Sequence, residues 1–216
     1  GAREPMTAGL TPTTVREYDR NAVAPGETET ITFGLGCFWG PDARFGATAG
    51  VVRTRVGYAG GSKPDPTYHS LGDHTEVVQV DVDPSVLSCR DVLEAVFRSH
   101  DPTNRVRKTQ YQNVVFADGD AQRSTLEAFL EEEAFVDEIA TRIEPLDEFV
   151  VAEDYHQKHS LRHTPDLNGV FEEAGYSDDD LRESPAAAKL NGLAGGNDLP
   201  EDDQFGTIEA RAARFR

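Results

Sequence analysis

Apolar and polar positions along residues 29–163 alternate between the spacing of strands and that of helices. Apolar runs and period-two alternation predict strands at 29–36, 51–56, 76–82 and 111–116, and a fifth strand within 142–151. Apolar residues at helical spacing predict helices at 37–48, after Asp83-Pro84, over the acidic stretch 118–140 and at 155–163. The first six elements follow the order β-α-β-β-α-β of a split βαβ (ferredoxin-like) core. We therefore expect an α/β (α+β) fold, a two-layer sandwich in which helices pack on a mixed sheet.

The two ends of the chain differ in composition from this patterned region. Residues 1–28 are polar, have no sustained period and predict a loose N-terminal arm. Residues 29–176 are expected to form the main, catalytic domain. Residues 177–216 are acidic and rich in glycine, which predicts a mobile or wrapping C-terminal tail with one closing helix over 207–215.

Charge narrows the range of partners. The chain has 216 residues, with 21 Lys plus Arg against 39 Asp plus Glu, a formal net charge of −18. This acidity argues against nucleic acid and anionic membranes as partners, because both are bound by clustered Lys and Arg. Only four of the cations are Lys, and an acidic, Lys-poor chain is typical of salt-loving organisms, in which salt screens self-repulsion.

The absence of long apolar stretches bears on location. No run approaches the roughly 20 apolar residues that a membrane-spanning helix needs, and the N-terminus lacks a signal pattern. We expect a soluble, cytoplasmic protein. Two cysteines are also too few for a disulfide framework in a chain of this size.

Cys37 is the first candidate for chemistry. It lies where a glycine-edged strand passes into a predicted helix, and the free N–H groups and positive partial charge of a helix N-terminus favour a thiolate. Phe38 and Trp39, the only Trp of the chain, follow directly and are suited to form an apolar pocket beside the sulfur. The alternative is a buried structural cysteine, which is the commoner fate of this residue type.

The whole motif Gly36-Cys37-Phe38-Trp39-Gly40 resembles the catalytic signature of A-type peptide methionine sulfoxide reductases. Further motifs follow in the order of that family, and the resemblance covers about residues 29–165. They are Gly57-Tyr58-Ala59-Gly60-Gly61, Pro66-Thr67-Tyr68, His74-Thr75-Glu76-Val77-Val78, Asp83-Pro84-Ser85, His100-Asp101-Pro102-Thr103, Thr109-Gln110-Tyr111 and Ala152-Glu153-Asp154-Tyr155-His156-Gln157.

The resemblance implies a reaction and a set of roles. The thiolate of Cys37 attacks the sulfur of an S-epimer methionine sulfoxide, protein-bound or free, and becomes a sulfenic acid as methionine is released. Glu76 is the implied acid, which requires a pKa raised by burial among hydroxyl neighbours. The implied substrate-binding residues are two aromatic residues of a methyl cage, Phe38 and Trp39, and two tyrosines that hold the sulfoxide oxygen, Tyr68 and Tyr111.

The number of cysteines bears on how oxidised Cys37 is reduced again. Cys89 lies early in the helix after Asp83-Pro84, and we expect it to be structural rather than a resolving cysteine for Cys37. The resemblance then implies an enzyme with no bound cofactor, whose sulfenic acid is reduced by an external thiol, either thioredoxin or dithiothreitol. Its partners are oxidised proteins or free methionine sulfoxide, and a thioredoxin-like reductant.

The sequence departs from the family at one edge of this site. Val106 occupies the position of an Asp five residues before Tyr111, the segment around it is basic, and Gln112 and Asn113 replace an Arg and a Ser. Asp101 and Asp73 are candidates to replace the missing carboxylate. The departures leave open an alternative in which a related fold has lost or altered turnover and acts as a peptide-binding or redox-sensing module.

Three histidines raise the question of a metal. His156, His159 and His163 recur near one face of the predicted helix, a spacing that allows metal binding. No further cluster of ligands supports zinc, and we predict no metal site.

Overall fold

A six-stranded sheet forms the centre of the computed structural model, which describes residues 9–135 and 138–206. Its strands run in the spatial order β5-β4-β1-β3-β2-β6, and every neighbouring pair is antiparallel except the parallel pair β4–β5. The strands are β1 (Glu29–Leu35), β2 (Val51–Ala59), β3 (Thr75–Val82), β4 (Asn113–Ala117), β5 (Arg142–Pro145) and β6 (Phe149–Val151).

Eight α-helices accompany the sheet in the described residues. They are α1 (Pro12–Asn21), α2 (Trp39–Gly46), α3 (Cys89–Arg98), α4 (Gly119–Glu133), α5 (His159–Arg162), α6 (Pro165–Glu173), α7 (Asp178–Glu183) and α8 (Pro185–Ala194). The predicted mixed α/β architecture, with helices packed on a mixed sheet, is confirmed.

The central strands are apolar because both of their faces are covered. β3 lies between β1 and β2, and its valines at 77, 78, 80 and 82 are fully buried. The main core lies on one face and joins Phe33, Val78 and Val80 to apolar residues of α3 and α4. A smaller cluster on other strand positions includes Val77 and Phe116. Continuous apolar strands of this kind are expected where neither face meets water.

Several predicted element boundaries were wrong. The segment 142–151 forms two strands on opposite edges of the sheet rather than one. The acidic helix ends at Glu133, where Ala134 takes a left-handed conformation, instead of running to residue 140. Tyr111 lies in a 3-10 turn (Thr109–Tyr111), and the strand begins after it.

The residues expected to be a loose N-terminal arm contain a packed helix. Thr11 caps α1 through a reciprocal capping box with Thr14, and Pro12 occupies the first turn. Leu10 and Val15 are buried in a second apolar cluster together with residues of α6 and α8. This helix has no clear signal in the sequence, because only Val15 of its ten residues is buried, which leaves almost no helical stripe.

The described part of the expected C-terminal tail also packs against the fold. Almost every residue of α8 is buried, and its closest partner is α2. A Cβ added to Gly46 would lie 2.4 Å from the carbonyl oxygen of Ala188, and one added to Gly192 would lie 2.6 Å from the Cβ of Ala47. Small residues thus let the two helices approach closely. The predicted closing helix at 207–215 lies outside the described residues.

Among residues 9–135 and 138–206, the structure contains no helix that combines the length and the apolar character needed to span a bilayer.

Candidate active site

Cys37 follows the C-terminal end of β1, the strand that lies between β4 and β3 in the sheet. Gly34 allows the backbone of β1 to lie close to that of β3, because a Cβ at position 34 would lie 2.8 Å from the carbonyl oxygen of Glu76. Gly36 has a φ of +80°, a backbone conformation that side chains disfavour, and it turns the chain out of the strand. Cys37 follows it directly and is exposed, while α2 begins two residues later.

The pKa of Cys37 is raised, which differs from the lowering that the helix start alone would cause. Partial burial is the main cause, and the nearby charge of Glu76 adds to it. A hydrogen bond with the backbone of Trp39 acts in the opposite direction. Without substrate, Cys37 therefore favours the neutral thiol, and protonation of Glu76 favours its thiolate.

Glu76 is the buried acid beside this thiol. It lies in β3 with only 1% of its surface exposed, and its Oε1 accepts a hydrogen bond of 3.2 Å from the backbone N–H of Phe38. Its Oε2 accepts one of 2.5 Å from the side-chain amide of Gln110. Burial raises the pKa of Glu76, while these two donors and the charge of Lys108 lower it in part.

The partners of Glu76 differ from those expected. The described residues give its carboxylate an amide and a backbone N–H, where the sequence analysis expected hydroxyl neighbours. The backbone donor carries no sequence signal, and Gln110 was quoted only as part of a motif. Both hydrogen bonds form because the 3-10 turn that carries Gln110 and the loop that carries Cys37 lie beside Glu76.

An aromatic cluster surrounds the space next to the sulfur. Phe38 is buried, with its ring centroid 5.8 Å from that of Tyr58 and 5.0 Å from that of His156. The Tyr68 ring lies 4.7 Å from the same imidazole. The structure thus brings Phe38 and Tyr68 together, as the resemblance implied, with His156 between them.

Trp39 is held on both sides by histidines. Its indole Nε1–H donates a hydrogen bond of 3.0 Å to Nδ1 of His156, which places the imidazole proton on Nε2. The ring of His159 stacks on the indole at 3.7 Å with an interplanar angle of 10°. In the sequence, His156 stood out as part of a family motif and both histidines as candidate metal ligands, and their contacts with Trp39 were not predicted. The Trp39 orientation is fixed by these two contacts.

Tyr111 reaches the same space from the 3-10 turn. Burial is the main cause that raises the pKa of Tyr111. The charge of Glu76, a hydrogen bond with Tyr68 and the charge of Cys37 raise it further. A neutral phenol is a hydrogen-bond donor to an oxygen that carries partial negative charge. Glu76, Tyr68 and Cys37 thus all act on the pKa of Tyr111, which places these four residues in one site.

A carboxylate outside the pocket fixes the Tyr68 loop. Oε2 of Glu153 accepts from the backbone N–H of Tyr68 at 3.0 Å, and Oε1 accepts from the Tyr58 hydroxyl at 2.9 Å. Two interactions to a charged acceptor hold the loop against β2.

The first turn of α2 is anchored by a buried carboxylate. Asp42 has no exposed surface, and it accepts from the Thr54 hydroxyl at 2.5 Å and from the backbone N–H of Lys158 at 3.1 Å. This fixes the helix that follows Cys37 relative to β2 and to the segment carrying His156.

The departures from the family lie beside the site. Val106 is partly buried, and its carbonyl oxygen accepts a hydrogen bond of 3.0 Å from the side-chain amide of Gln112. Neither candidate carboxylate is directed to this position. Asp73 binds the backbone of Ser62, and Asp101 binds Thr103, both on the surface.

Cys89 lies far from Cys37. It is the first residue of α3, and the charge of Glu29 at the start of β1 contributes to a pKa of about 11, which burial mainly raises. Cys37 lies beyond the opposite end of that strand. Eight residues of extended chain span roughly 26 Å, whereas a disulfide requires Cα atoms within about 7 Å.

Within the described ranges, no group of three or more His, Cys, Asp or Glu side chains is arranged to hold an ion. The described part of the C-terminal region packs behind α2 and leaves Cys37 exposed.

Known proteins resemble this chain over most of its length. A model of the family "Peptide methionine sulfoxide reductase" matches residues 29–180. A rice protein (Oryza sativa subsp. japonica), "Peptide methionine sulfoxide reductase A5", is 39% identical over 80% of this chain and 70% of its own length. A "Peptide methionine sulfoxide reductase" of Drosophila melanogaster is 40% identical over 77% of this chain and 68% of its own. The solved structure "Methionine sulfoxide reductase A of Corynebacterium diphtheriae" superposes with a TM-score of 0.56 at 31% identity, covering 76% of this chain and 87% of that one.

Proposed function

Because this chain belongs to the peptide methionine sulfoxide reductase family and is an oxidoreductase that reduces methionine sulfoxide, we propose that Cys37 is its nucleophile and Glu76 its acid. One observation carries the assignment most strongly. An exposed thiol lies beside a buried carboxyl group whose pKa is raised, and the two are joined through the backbone N–H of Phe38.

In the proposed step the thiolate of Cys37 attacks the sulfur of an S-epimer sulfoxide, and protonated Glu76 gives its proton to the sulfoxide oxygen. The substrate sulfur gains two electrons and leaves as the sulfide. The Cys37 sulfur loses two electrons and ends bonded to the oxygen as a sulfenic acid. Protonation of the oxygen matters because it turns a poor leaving oxide into a hydroxyl group.

The aromatic and phenolic side chains position the substrate in this proposal. Phe38 and Trp39 enclose the methyl group, and the hydroxyls of Tyr68 and Tyr111 donate to the sulfoxide oxygen. The raised pKa of Tyr111 supports this role because it keeps the phenol protonated. Donors already in place at an oxygen that gains negative charge stabilise the transition state.

The sulfenic acid is then reduced by an external thiol. One thiol condenses with it, releasing water and forming a mixed disulfide, and a second thiol frees Cys37. The position of Cys89, near the start of β1, supports this route over an internal disulfide. A thioredoxin-like protein is the proposed physiological reductant, oxidised proteins or free methionine sulfoxide are the substrates, and no bound cofactor takes part.

Two further proposals concern the setting of the protein. The charge of −18 and the scarcity of Lys support a high-salt, cytoplasmic environment. The order β4-β1-β3-β2, with all neighbours antiparallel, supports the split βαβ description of the four central strands.

The experiment uses purified protein, dithiothreitol and the separated S and R epimers of a methyl sulfoxide, at low salt and at molar salt. We expect sulfide from the S epimer only, and a sulfenic acid on Cys37 that dimedone traps and mass spectrometry locates. Cys37→Ser is the control. Turnover of that variant at the wild-type rate would contradict the nucleophile, and wild-type protein that binds the sulfoxide without converting it would favour the binding or sensing alternative.

A further inference from the structure

Three exposed cations lie together at the edge of the site. Arg105, Arg107 and Lys108 occupy the segment that leads into the 3-10 turn carrying Tyr111. None of them forms an ion pair with a described residue. Elsewhere in the described chain, several arginines have acidic partners, among them Arg55 with Asp81. The remaining examples are Arg90 with Glu132, Arg123 with Asp120, Arg142 with Glu144, Arg162 with Asp178 and Arg182 with Asp179.

Such a cluster costs stability unless something compensates its charge. Three like charges within four residues repel one another, and a chain with a net charge of −18 has ample carboxylates to pair with them. The segment instead leaves them exposed. Because no carboxylate within residues 9–135 and 138–206 forms an ion pair with these three cations, their charge is available to a ligand from solution.

The position of Lys108 ties this charge to the reacting groups. Its Nζ lies 5.1 Å from the centroid of the Tyr111 ring, and its charge lowers the pKa of Glu76. The segment is also held in place, because the carbonyl of Val106 accepts a hydrogen bond from Gln112, next to Tyr111. The cluster borders the proposed substrate pocket.

A polar recess extends this surface away from the thiol. It has a volume of about 260 Å³ and is lined in part by Arg105, Asn104, Asn113 and Gln112. Arginine and amide N–H groups are donors that suit a carboxylate. The recess and the three cations together offer N–H donors and positive charge.

We propose that Arg105, Arg107 and Lys108 bind the carboxylates of acidic residues that flank methionine sulfoxide in a peptide. The inference rests on the proposed function and names its substrate class. Distance supports it: the Lys108 Nζ lies 5.1 Å from the centroid of the Tyr111 ring, whose hydroxyl is proposed to hold the sulfoxide oxygen, and neighbouring residues of an extended peptide are about 3.5 Å apart. A carboxylate one or two residues from the sulfoxide is therefore within reach of Lys108, and Arg105 and Arg107 extend the positive charge along the same exposed segment.

The test is a competition among three peptides that carry the S epimer of methionine sulfoxide. One is flanked by Asp on both sides, one by Ser and one by Lys, and dithiothreitol is the reductant, so that no protein reductant contributes. Mass spectrometry of a single mixture gives the ratios of kcat/KM. At 0.1 M KCl we expect about a fivefold preference for the Asp peptide over the Ser peptide, and discrimination against the Lys peptide. In 2 M KCl the preference falls below about twofold, because screening shortens the reach of these charges.

A charge-reversal pair isolates the surface. Arg105→Glu with Arg107→Glu is expected to bring the ratio of Asp to Ser peptide below one. Arg20→Glu with Arg123→Glu changes the net charge equally, on exposed positions of α1 and α4, and is expected to keep the wild-type ratio. A further comparison uses N-acetyl-methionine sulfoxide, which has a terminal carboxylate, and its amide, which has none. It distinguishes binding of a terminal carboxylate from binding of a flanking side-chain carboxylate.

Each outcome decides the inference. Equal rates for the three peptides in the wild type would overturn it while leaving the proposed function intact. A uniform loss across all three peptides in the first variant, or the same ratio change in the control, would overturn it as well. An effect of the first variant that requires thioredoxin in place of dithiothreitol would assign the surface to the reductant. If the wild type reduces none of the peptides, the proposed function fails and this inference with it.

Discussion

The carboxylate of Glu76 accepts a hydrogen bond of 3.2 Å from the backbone N–H of Phe38, the residue after Cys37. This contact joins the proposed acid on β3 to the loop that carries the proposed nucleophile. It also brings the two ionisable groups close enough for the charge of Glu76 to raise the pKa of Cys37. The reaction needs Glu76 protonated and Cys37 deprotonated, so each group affects the state of the other.

The first prediction separates these two effects in Glu76→Gln. The variant loses the proton donor, and we expect sulfoxide reduction to fall by a factor of about 10²–10⁴. It also loses the negative charge that raises the pKa of Cys37, so alkylation of Cys37 by iodoacetamide becomes faster at neutral pH. The pH midpoint of alkylation and the reduction rate check the prediction, with circular dichroism to establish folding. Slower alkylation together with wild-type reduction would show that Glu76 has neither role.

The second prediction concerns Gln110. Its side-chain amide donates to Glu76 at 2.5 Å and lowers the pKa of that carboxyl group. In Gln110→Leu the charged form of Glu76 loses this donor, so the pKa of Glu76 rises further. The decline of kcat/KM with increasing pH that reflects loss of the Glu76 proton then shifts to higher pH. Gln110→Glu, which adds a like charge, is expected to shift it in the same direction, whereas a shift to lower pH in either variant would contradict the assignment.

The third prediction assigns His156 to positioning Trp39. His156→Leu removes the acceptor of the indole N–H, and we expect kcat/KM to fall about tenfold as the cage loosens. Trp39 is the only Trp in the chain, so intrinsic fluorescence reports on this site alone, and its emission should shift to longer wavelength. His156→Asn keeps an acceptor near the position of Nδ1 and is expected to recover part of both signals. Loss of rate with unchanged fluorescence would place His156 in another role.

The fourth prediction is that Cys89 takes no part in turnover. Cys89→Ala should keep the wild-type rate with dithiothreitol and with thioredoxin, because the thiol lies near the start of β1 and is largely neutral, with a pKa of about 11. After one equivalent of sulfoxide, mass spectrometry should find a sulfenic acid at Cys37 and a free thiol at Cys89. A disulfide between the two residues would refute the external-thiol route.

The fifth prediction concerns how the ends of the chain hold the fold together. Asp19 in α1 accepts hydrogen bonds from the Tyr176 hydroxyl, the Ser184 hydroxyl and the backbone N–H of Ala186. Asp19→Ala leaves these buried or partly buried donors unpaired, and we expect the free energy of unfolding to fall by about 2–4 kcal/mol. Chemical denaturation measures the change. Asp147→Ala, at an exposed loop position, is the control and should stay within about 0.5 kcal/mol of the wild type.

The sequence determined the parts of this protein that local chemistry dictates. The valines at 77, 78, 80 and 82 predict a strand, and the glycines before Cys37 predict that a strand ends there and passes into a helix. The order of the strands and helices predicts the mixed sheet. These features depend on neighbouring residues, so a pattern along the chain is enough to find them.

Only the tertiary structure decided which distant groups meet. The raised pKa of Cys37 depends first on its burial and then on the charge of Glu76, which is 39 positions away. The orientation of Trp39 depends on His156 and His159. The helix α1 gains its stability from α6 and α8 rather than from its own pattern, which is why residues 12–21 resembled a loose arm. Burial, pKa and long-range hydrogen bonds depend on packing between segments, and the order of residues in one segment does not contain that information.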